Sequence, residues 1–139
     1  MNRIVVALGA LLAVTFAAYA QRTASPPGAQ VYVISPKDGA TVGNPITVQF
    51  GLKGMGVAPA GIEKDKTGHH HLLIDTKLQS QDSPIPADKQ NVHFGLGQTE
   101  TSITLEPGKH TLQLIVGDHN HIPHNPPVMS KPLTITVKK

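Results

Sequence analysis

The sequence predicts an all-β protein, a single immunoglobulin-like β-sandwich of about seven short strands that follows a cleaved signal peptide. Beyond the first twenty residues, short apolar and β-branched segments alternate with turn residues. No window of this part has the 3.6-residue period of an amphipathic helix. About six or seven strands in roughly 105 residues is the density of an immunoglobulin-like sandwich.

The first twenty residues form a separate unit. Arg3 supplies a positive charge, residues 4–18 are almost wholly apolar, and Ala18-Tyr19-Ala20 has the small-x-small pattern that signal peptidase cleaves. The apolar run is short and nothing anchors it afterwards, so we expect a signal peptide over residues 1–20 rather than a retained membrane anchor, which is the alternative. The mature protein is therefore expected to be periplasmic or secreted and to lack a membrane span.

The mature part is predicted as a flexible leader, residues 21–30, followed by one sandwich domain, residues 31–139. The chain has no cysteine, so an exported domain must be stabilised by its core, by a ligand, or by both. Without Arg3, eleven Lys or Arg residues stand against nine acidic residues. This near balance, with no basic run, predicts no nucleic-acid partner.

Three strands are predicted in the first half of the domain, at residues 31–35, 46–52 and 69–75. The first is β-branched and ends at the turn Pro36-Lys37-Asp38-Gly39. The second alternates apolar residues with polar or small ones, which predicts one buried face. The third contains the apolar run 72–74, which predicts burial on both faces. In immunoglobulin-like order these are strands A, B and C.

Three further strands are predicted at residues 101–105, 110–116 and 133–137, and they correspond to strands E, F and G. Each alternates Leu, Ile or Val with polar residues on the other face. Pro107-Gly108 predicts a tight turn between E and F, because proline fixes φ near −65° and glycine tolerates positive φ. Residues 76–91, between C and E, contain two prolines and are predicted to be irregular.

Two histidine clusters accompany these strands. Residues 69–71 are three consecutive histidines, and residues 118–124 contain an aspartate and three histidines. The B–C and F–G loops lie at the same end of an immunoglobulin-like sandwich, so the two clusters are predicted to face each other. Strand alternation places His69 and His71 on one face and His70 on the other. Two such imidazoles and a third from another element resemble the three-histidine zinc sites of proteins.

The candidate metal ligands come from both clusters and from the C-to-E connection, and they are His69, His71, His119, His121, His124 and His93. His119 and His121 would share one face if strand F extended that far. His70 is either a neighbour of the ligands or a residue at the edge of the core. His110 begins strand F at the opposite end, and a corner hydrogen bond or a cross-strand contact is expected for it.

A hydrogen-bonded network without an ion is the alternative for this end of the sandwich, with Asp118 and Asn120 capping turns. If an ion is bound, the absence of cysteine excludes a thiolate site, and imidazole suits zinc, copper and nickel. The loops offer more imidazole than carboxylate, which disfavours calcium. We therefore expect Cu(II) or Zn(II), and no organic cofactor.

Several segments resemble a known family of small exported bacterial proteins. These are VISPKDGATV, FGLKGMGVAPAG, TGHHHLLID, HFGLGQTET, PGKHTLQL and GDHNHIPHNPPVMS. The chain is similar to domain of unknown function 4399 over about residues 31–137. The resemblance implies a single extracytoplasmic domain and implies no particular activity.

Three functions are compatible with these observations. The first is binding of Cu(II) or Zn(II) by the histidines, and the second is a non-metal module that recognises an envelope protein or a glycan. The third is a metal-dependent hydrolase or oxidase, which would need an open coordination position and a general base such as Asp75, Asp118 or Glu100. The chain has no hydrolase motif, so binding is favoured over catalysis and no catalytic residue is assigned.

Overall fold

Strands and no helix make up the regular structure of residues 21–139, which are the residues that the computed structural model describes. The predicted signal peptide, residues 1–20, lies outside them. The strands are β1 (Gln30–Ser35), β2 (Thr41–Val42), β3 (Ile46–Lys53), β4 (Gly56–Val57), β5 (Thr67–Ile74), β6 (Asn91–His93), β7 (Glu100–Ile103), β8 (Gly108–Gly117) and β9 (Leu133–Val137). No helix within residues 21–139 is long and apolar enough to cross a membrane.

The strands form two sheets that face each other as an open sandwich. One sheet has three strands in the order β1-β3-β7, and the other has six, in the order β2-β9-β8-β5-β4 with β6 on β5. The predicted strands A, B and E are therefore in one sheet and C, F and G in the other, which is how immunoglobulin-like domains divide them. The all-β sandwich predicted from the sequence is confirmed.

Three short strands were not predicted, because two or three residues are too few to show alternation. β2 extends the larger sheet by pairing in parallel with β9. β4 pairs in parallel with the start of β5. β6 is the important addition for the site, because it pairs antiparallel with β5 and places His93 opposite His71.

The core lies between the two sheets, and a smaller cluster covers the outer face of the larger sheet. Val48 and Phe50 of β3 point inward and pack with Leu72 of β5. On the outer face, Leu73 and Ile115 pack with residues of the loop after β5. β5 is thus buried on both faces, as its apolar run predicts, and this fixes the positions of the neighbouring histidines.

Residues 21–30, predicted as a flexible leader, contact the domain through their first half. Ala24 forms a parallel bridge with Asn125 in the loop between β8 and β9. The Ser25 N–H donates to the Asn125 carbonyl at 3.0 Å, and the Asn125 N–H donates to the Thr23 carbonyl at 2.8 Å. This segment therefore lies along the loop that carries the second histidine cluster.

Candidate metal site

Four histidines meet at one end of the larger sheet, on its outer face. They are His69 and His71 of β5, His93 of β6, and His121 of the loop between β8 and β9. Each offers one ring nitrogen, and the four nitrogens all lie within 4.8 Å of one another. The ring centroids are 4.7 to 6.0 Å apart in all six pairs. We call this group the four-histidine cluster.

β5 holds two members of the cluster rigidly. His69 pairs with Gly117 of β8, and His71 pairs with Ile115 of β8 on one side and His93 of β6 on the other. Both side chains are fully buried. Gly117 makes room for the His71 ring, because a Cβ there would lie 3.0 Å from His71 Nε2. The two nitrogens of β5 are therefore fixed by the sheet and not by their own contacts.

β6 brings His93 to the cluster, and two residues outside the strand make that possible. The Asp88 carboxylate accepts hydrogen bonds from the Asn91 N–H at 2.9 Å and from the Asn91 side-chain amide at 2.9 Å, which fixes the start of β6. After the strand, a Cβ on Gly95 would lie 2.4 Å from His93 Cε1, so only glycine leaves the ring its position. Neither Asp88 nor Gly95 was predicted as part of the site, although a glycine two residues after the candidate ligand His93 is a usable signal of a close approach.

A tight turn brings His121 to the cluster. β8 ends at Gly117, and Asp118 Oδ1 then accepts the N–H groups of Asn120 at 2.9 Å and Ile122 at 3.0 Å. The Asp118 carbonyl accepts the His121 N–H at 2.9 Å. His121 has φ 66°, in the left-handed region that non-glycine residues adopt rarely. Such backbone conformations are concentrated at functional sites.

The imidazoles of the cluster do not satisfy one another's hydrogen bonds. His69 Nε2 lies 3.0 Å from His71 Nε2 and 3.1 Å from His121 Nδ1. A ring nitrogen has one in-plane position, either a proton or a lone pair, so His69 Nε2 bonds to only one of the two. The Nδ1 atoms of His69 and His71 and the Nε2 of His93 are buried without a partner among the described residues. This arrangement disfavours a satisfied network without an ion.

Burial and repulsion from neighbouring imidazoles favour the neutral form of His69, His71 and His93. Burial, followed by the charges of His121 and His93, lowers the pKa of His69 to about 4, although the Asp118 carboxylate opposes the change. Burial and the neighbouring imidazoles lower the pKa of His71 to about 2. Burial and His121 also lower the pKa of His93. Neutral imidazole is the form that binds metal ions, so these rings are ready to bind one near neutral pH.

Acid is expected to destabilise the metal-free protein between pH 6.5 and about 4. Unfolded histidines take up protons near pH 6.5, whereas burial lowers the pKa of His69 and His70 to about 4 in the folded protein. Their contribution to stability is complete above pH 6.5 and is lost as the pH falls to about 4. His110 acts oppositely, because its hydrogen bond to Asp75 raises its pKa.

Denaturant unfolding in EDTA at several pH values measures this dependence. His70→Leu is the control, because neither ring nitrogen of His70 makes a hydrogen bond of normal geometry within residues 21–139, so an apolar side chain loses little hydrogen bonding there. This variant should show a shallower fall in the free energy of unfolding. A free energy that is constant from pH 6.5 to 4.5 would contradict the expectation.

The structure does not bring two of the predicted ligands, His119 and His124, to the cluster. His119 Nε2 accepts a hydrogen bond from the Asn120 side chain at 2.9 Å and lies 4.0 Å from a Glu63 carboxylate oxygen. His124 is buried, with Nδ1 3.3 Å from the Val116 carbonyl. The predicted relation between His119 and His121 requires strand F to continue, but β8 ends two residues before His119.

The remaining two histidines, His70 and His110, lie outside the cluster and make contacts that stabilise the fold. His70 points to the opposite face from its neighbours and packs on Phe50, with ring centroids 5.1 Å apart, inside the core. His110 lies at the far end of β5, where Nδ1 is 2.6 Å from Asp75 and Nε2 donates to the Glu106 carbonyl at 2.7 Å. The predicted corner hydrogen bond of His110 is thus present.

The candidate metal site lies within the part of the chain that a family model matches. A family model described as domain of unknown function (DUF4399) matches residues 48–138, a range that includes all four members of the cluster. No curated protein and no solved structure matches the chain. Because the family model covers more than half of the sequence, the chain belongs to the DUF4399 family.

Proposed function

We propose that this protein is an exported binding protein that holds one Cu(II) or Zn(II) ion through His69, His71, His93 and His121. The observation that carries the proposal is the convergence of four imidazole nitrogens within 4.8 Å of one another. Two of these rings are fully buried and two are half-buried, so the ion would be held at the surface end of a rigid sheet.

The spacing of the nitrogens suits a tetrahedral ion after modest shifts of the side chains. Zinc–nitrogen bonds of about 2.0–2.1 Å place tetrahedral ligand atoms about 3.3–3.4 Å apart. His69 Nε2 is already 3.0 Å from His71 Nε2 and 3.1 Å from His121 Nδ1. The widest separation in the cluster is 4.8 Å, so bringing every pair to the tetrahedral spacing requires shifts of about 1.5 Å at most. Side-chain rotation of the half-buried His93 and His121 would supply these shifts, with the backbone unchanged.

The chemistry of the ligands selects the class of ion. The cluster contains four imidazoles and no carboxylate, a set that suits zinc and copper and does not suit calcium or magnesium. Asp118 is the nearest acidic residue along the loop, but its carboxylate accepts hydrogen bonds from Thr23, Asn120 and Ile122. The Asp118 carboxylate therefore stabilises the loop and is not counted among the metal ligands.

Export and metal binding support each other in this proposal. The charged, apolar and small-residue segments of residues 1–20 favour secretion. The chain has no cysteine with which to form a disulfide. A ligand that binds only the folded state stabilises that state. The ion would cross-link β5, β6 and the loop that carries His121, a role that disulfides have in other exported domains.

Metal addition is expected to raise the melting temperature of the mature, untagged protein. At a free ion concentration of 100 times Kd the ion adds about 2.7 kcal/mol to the free energy of unfolding. For a domain of about 110 residues this corresponds to roughly 10 °C. The measurement is elemental analysis followed by melting in EDTA and with one equivalent of Zn(II), Cu(II) or Ni(II).

Stoichiometric binding with a shift of this size supports the proposal. His119→Ala is the control, since His119 lies outside the cluster and the variant should keep the full shift. Absence of bound ion together with unchanged melting in all three metals would refute metal binding.

A further inference from the structure

One ligand of the cluster depends on a loop and not on a sheet. His69, His71 and His93 lie in paired strands, whereas His121 lies beyond the end of β8. A loop ligand must be ordered before or during binding, and this ordering reduces affinity. The contacts that order the loop therefore affect how tightly the site holds an ion.

Asp118 is the residue around which this loop turns. It is 4% exposed, and its Oδ1 accepts the N–H groups on both sides of His121, those of Asn120 at 2.9 Å and Ile122 at 3.0 Å. Burial would raise the pKa of this carboxyl, but the hydrogen bonds from Thr23, Ile122 and Asn120 outweigh burial and lower it. Asp118 is thus a buried anion whose hydrogen bonds fix the backbone of a candidate ligand.

Residues 22–24 contact Asp118 and the loop that follows it. The Thr23 hydroxyl donates to Asp118 Oδ2 at 2.7 Å, and the Arg22 guanidinium donates to the Pro123 carbonyl at 3.2 Å and to the His124 carbonyl. The bridge between Ala24 and Asn125 continues the contact. We call residues Arg22, Thr23 and Ala24 the strap.

We propose that Asp118 and the strap residue Thr23 are positioning residues of the metal site, which hold His121 in the geometry that binds the ion. This inference rests on the proposed function. The Thr23 hydroxyl donates a hydrogen bond to Oδ2 of the Asp118 carboxylate, and Oδ1 accepts the N–H groups of the turn. This turn sets the position of His121. The chain just after the predicted cleavage point thereby becomes part of the binding site.

The matched pair Thr23→Val and Thr23→Ser tests the role of the hydroxyl. Valine has the shape of threonine without the hydroxyl, and serine keeps the hydroxyl. Zn(II) affinity is measured by competition with a chelator, and the Zn(II) dissociation rate by transfer to excess EDTA. We expect Thr23→Val to weaken binding by about tenfold, mostly through faster dissociation, as the loss of groups that orient metal ligands does. Thr23→Ser should restore affinity to near that of the wild type.

Asp118 is tested with a second pair of variants. Asp118→Asn keeps the Oδ1 acceptor of the turn, so we expect a loss of about tenfold, whereas Asp118→Ala removes that acceptor and should cost about 100-fold. A Cu(II) spectrum like that of the wild type in Thr23→Val would show that the ligands are retained while their positioning is impaired.

The outcomes separate this inference from the proposed function. Wild-type affinity and dissociation rate in Thr23→Val, with one ion bound, would overturn the positioning role and leave the four-histidine site in place. A Thr23→Val variant that melts lower without metal but binds Zn(II) as tightly as the wild type would also overturn it, because the contact would then serve folding alone. A wild-type chain that binds no ion would overturn both.

Discussion

His71→Ala is expected to lower the affinity of the protein for Zn(II) or Cu(II) by more than 100-fold. His71 is fully buried, and its Nε2 lies 3.0 Å from His69 Nε2 within the cluster. Loss of a group that only orients a ligand costs about 10- to 100-fold, so loss of a ligand itself should cost more. Competition with a chelator of known affinity measures the change, and the metal-dependent rise in melting temperature should disappear with it.

His70→Ala is the matched control for this variant. His70 is the adjacent residue and is equally buried, but its ring packs on Phe50 in the core and does not belong to the cluster. Both variants leave a cavity and lower the melting temperature of the metal-free protein. Only His71→Ala should lose the metal. Equal losses of affinity in the two variants would show that the effect comes from unfolding and would contradict the assignment.

Gly68→Ala is expected to destabilise the protein by about 3 kcal/mol, at the upper end of the usual cost of overpacking. A Cβ on Gly68 would lie 2.5 Å from Val116 Cγ1, 2.6 Å from the Gly117 carbonyl oxygen and 2.9 Å from His124 Cε1. A side chain can rotate away, but the Gly117 carbonyl belongs to β8, so the pairing of β5 with β8 must shift. In a domain of about 110 residues this lowers the melting temperature by roughly 10 °C.

Gly43→Ala is the corresponding control, because a Cβ on Gly43 would meet no atom of residues 21–139 within 4 Å. Thermal melting in EDTA compares the two variants without any contribution from metal. Gly68→Ala should also bind Zn(II) more weakly, since β5 carries His69 and His71 directly after this residue. A melting temperature within 2 °C of that of Gly43→Ala would contradict the close packing of β5 against β8.

Much of this end of the molecule could be predicted from the sequence, because it depends on strand alternation and on the order of the strands. Alternation places His69 and His71 together and His70 in the core. The strand order brings the start of β5 beside the end of β8, where the second histidine cluster begins. These are periodic or topological properties, and short-range patterns in the sequence report them well.

The rest depends on contacts that have no periodic pattern. His93 enters through a three-residue strand, held by side-chain hydrogen bonds to Asp88, after a stretch with two prolines. His121 reaches the cluster because hydrogen bonds to the Asp118 carboxylate turn the chain directly after Gly117. The turn ends the strand alternation that would have placed His121 on the same face as His119. Single side-chain hydrogen bonds of this kind decide which histidines meet, and the sequence does not show which ones form.

Nitrogen NMR of the histidine rings, before and after one equivalent of Zn(II), tests the central claim most directly, because it distinguishes protonated, free and metal-bound ring nitrogens residue by residue. We predict that one nitrogen in each of His69, His71, His93 and His121 becomes metal-bound. The rings of His110 and His119 should not become metal-bound. Zinc binding at His119 or His124 in place of His93, or no metal-bound nitrogen at all, would contradict the four-histidine site.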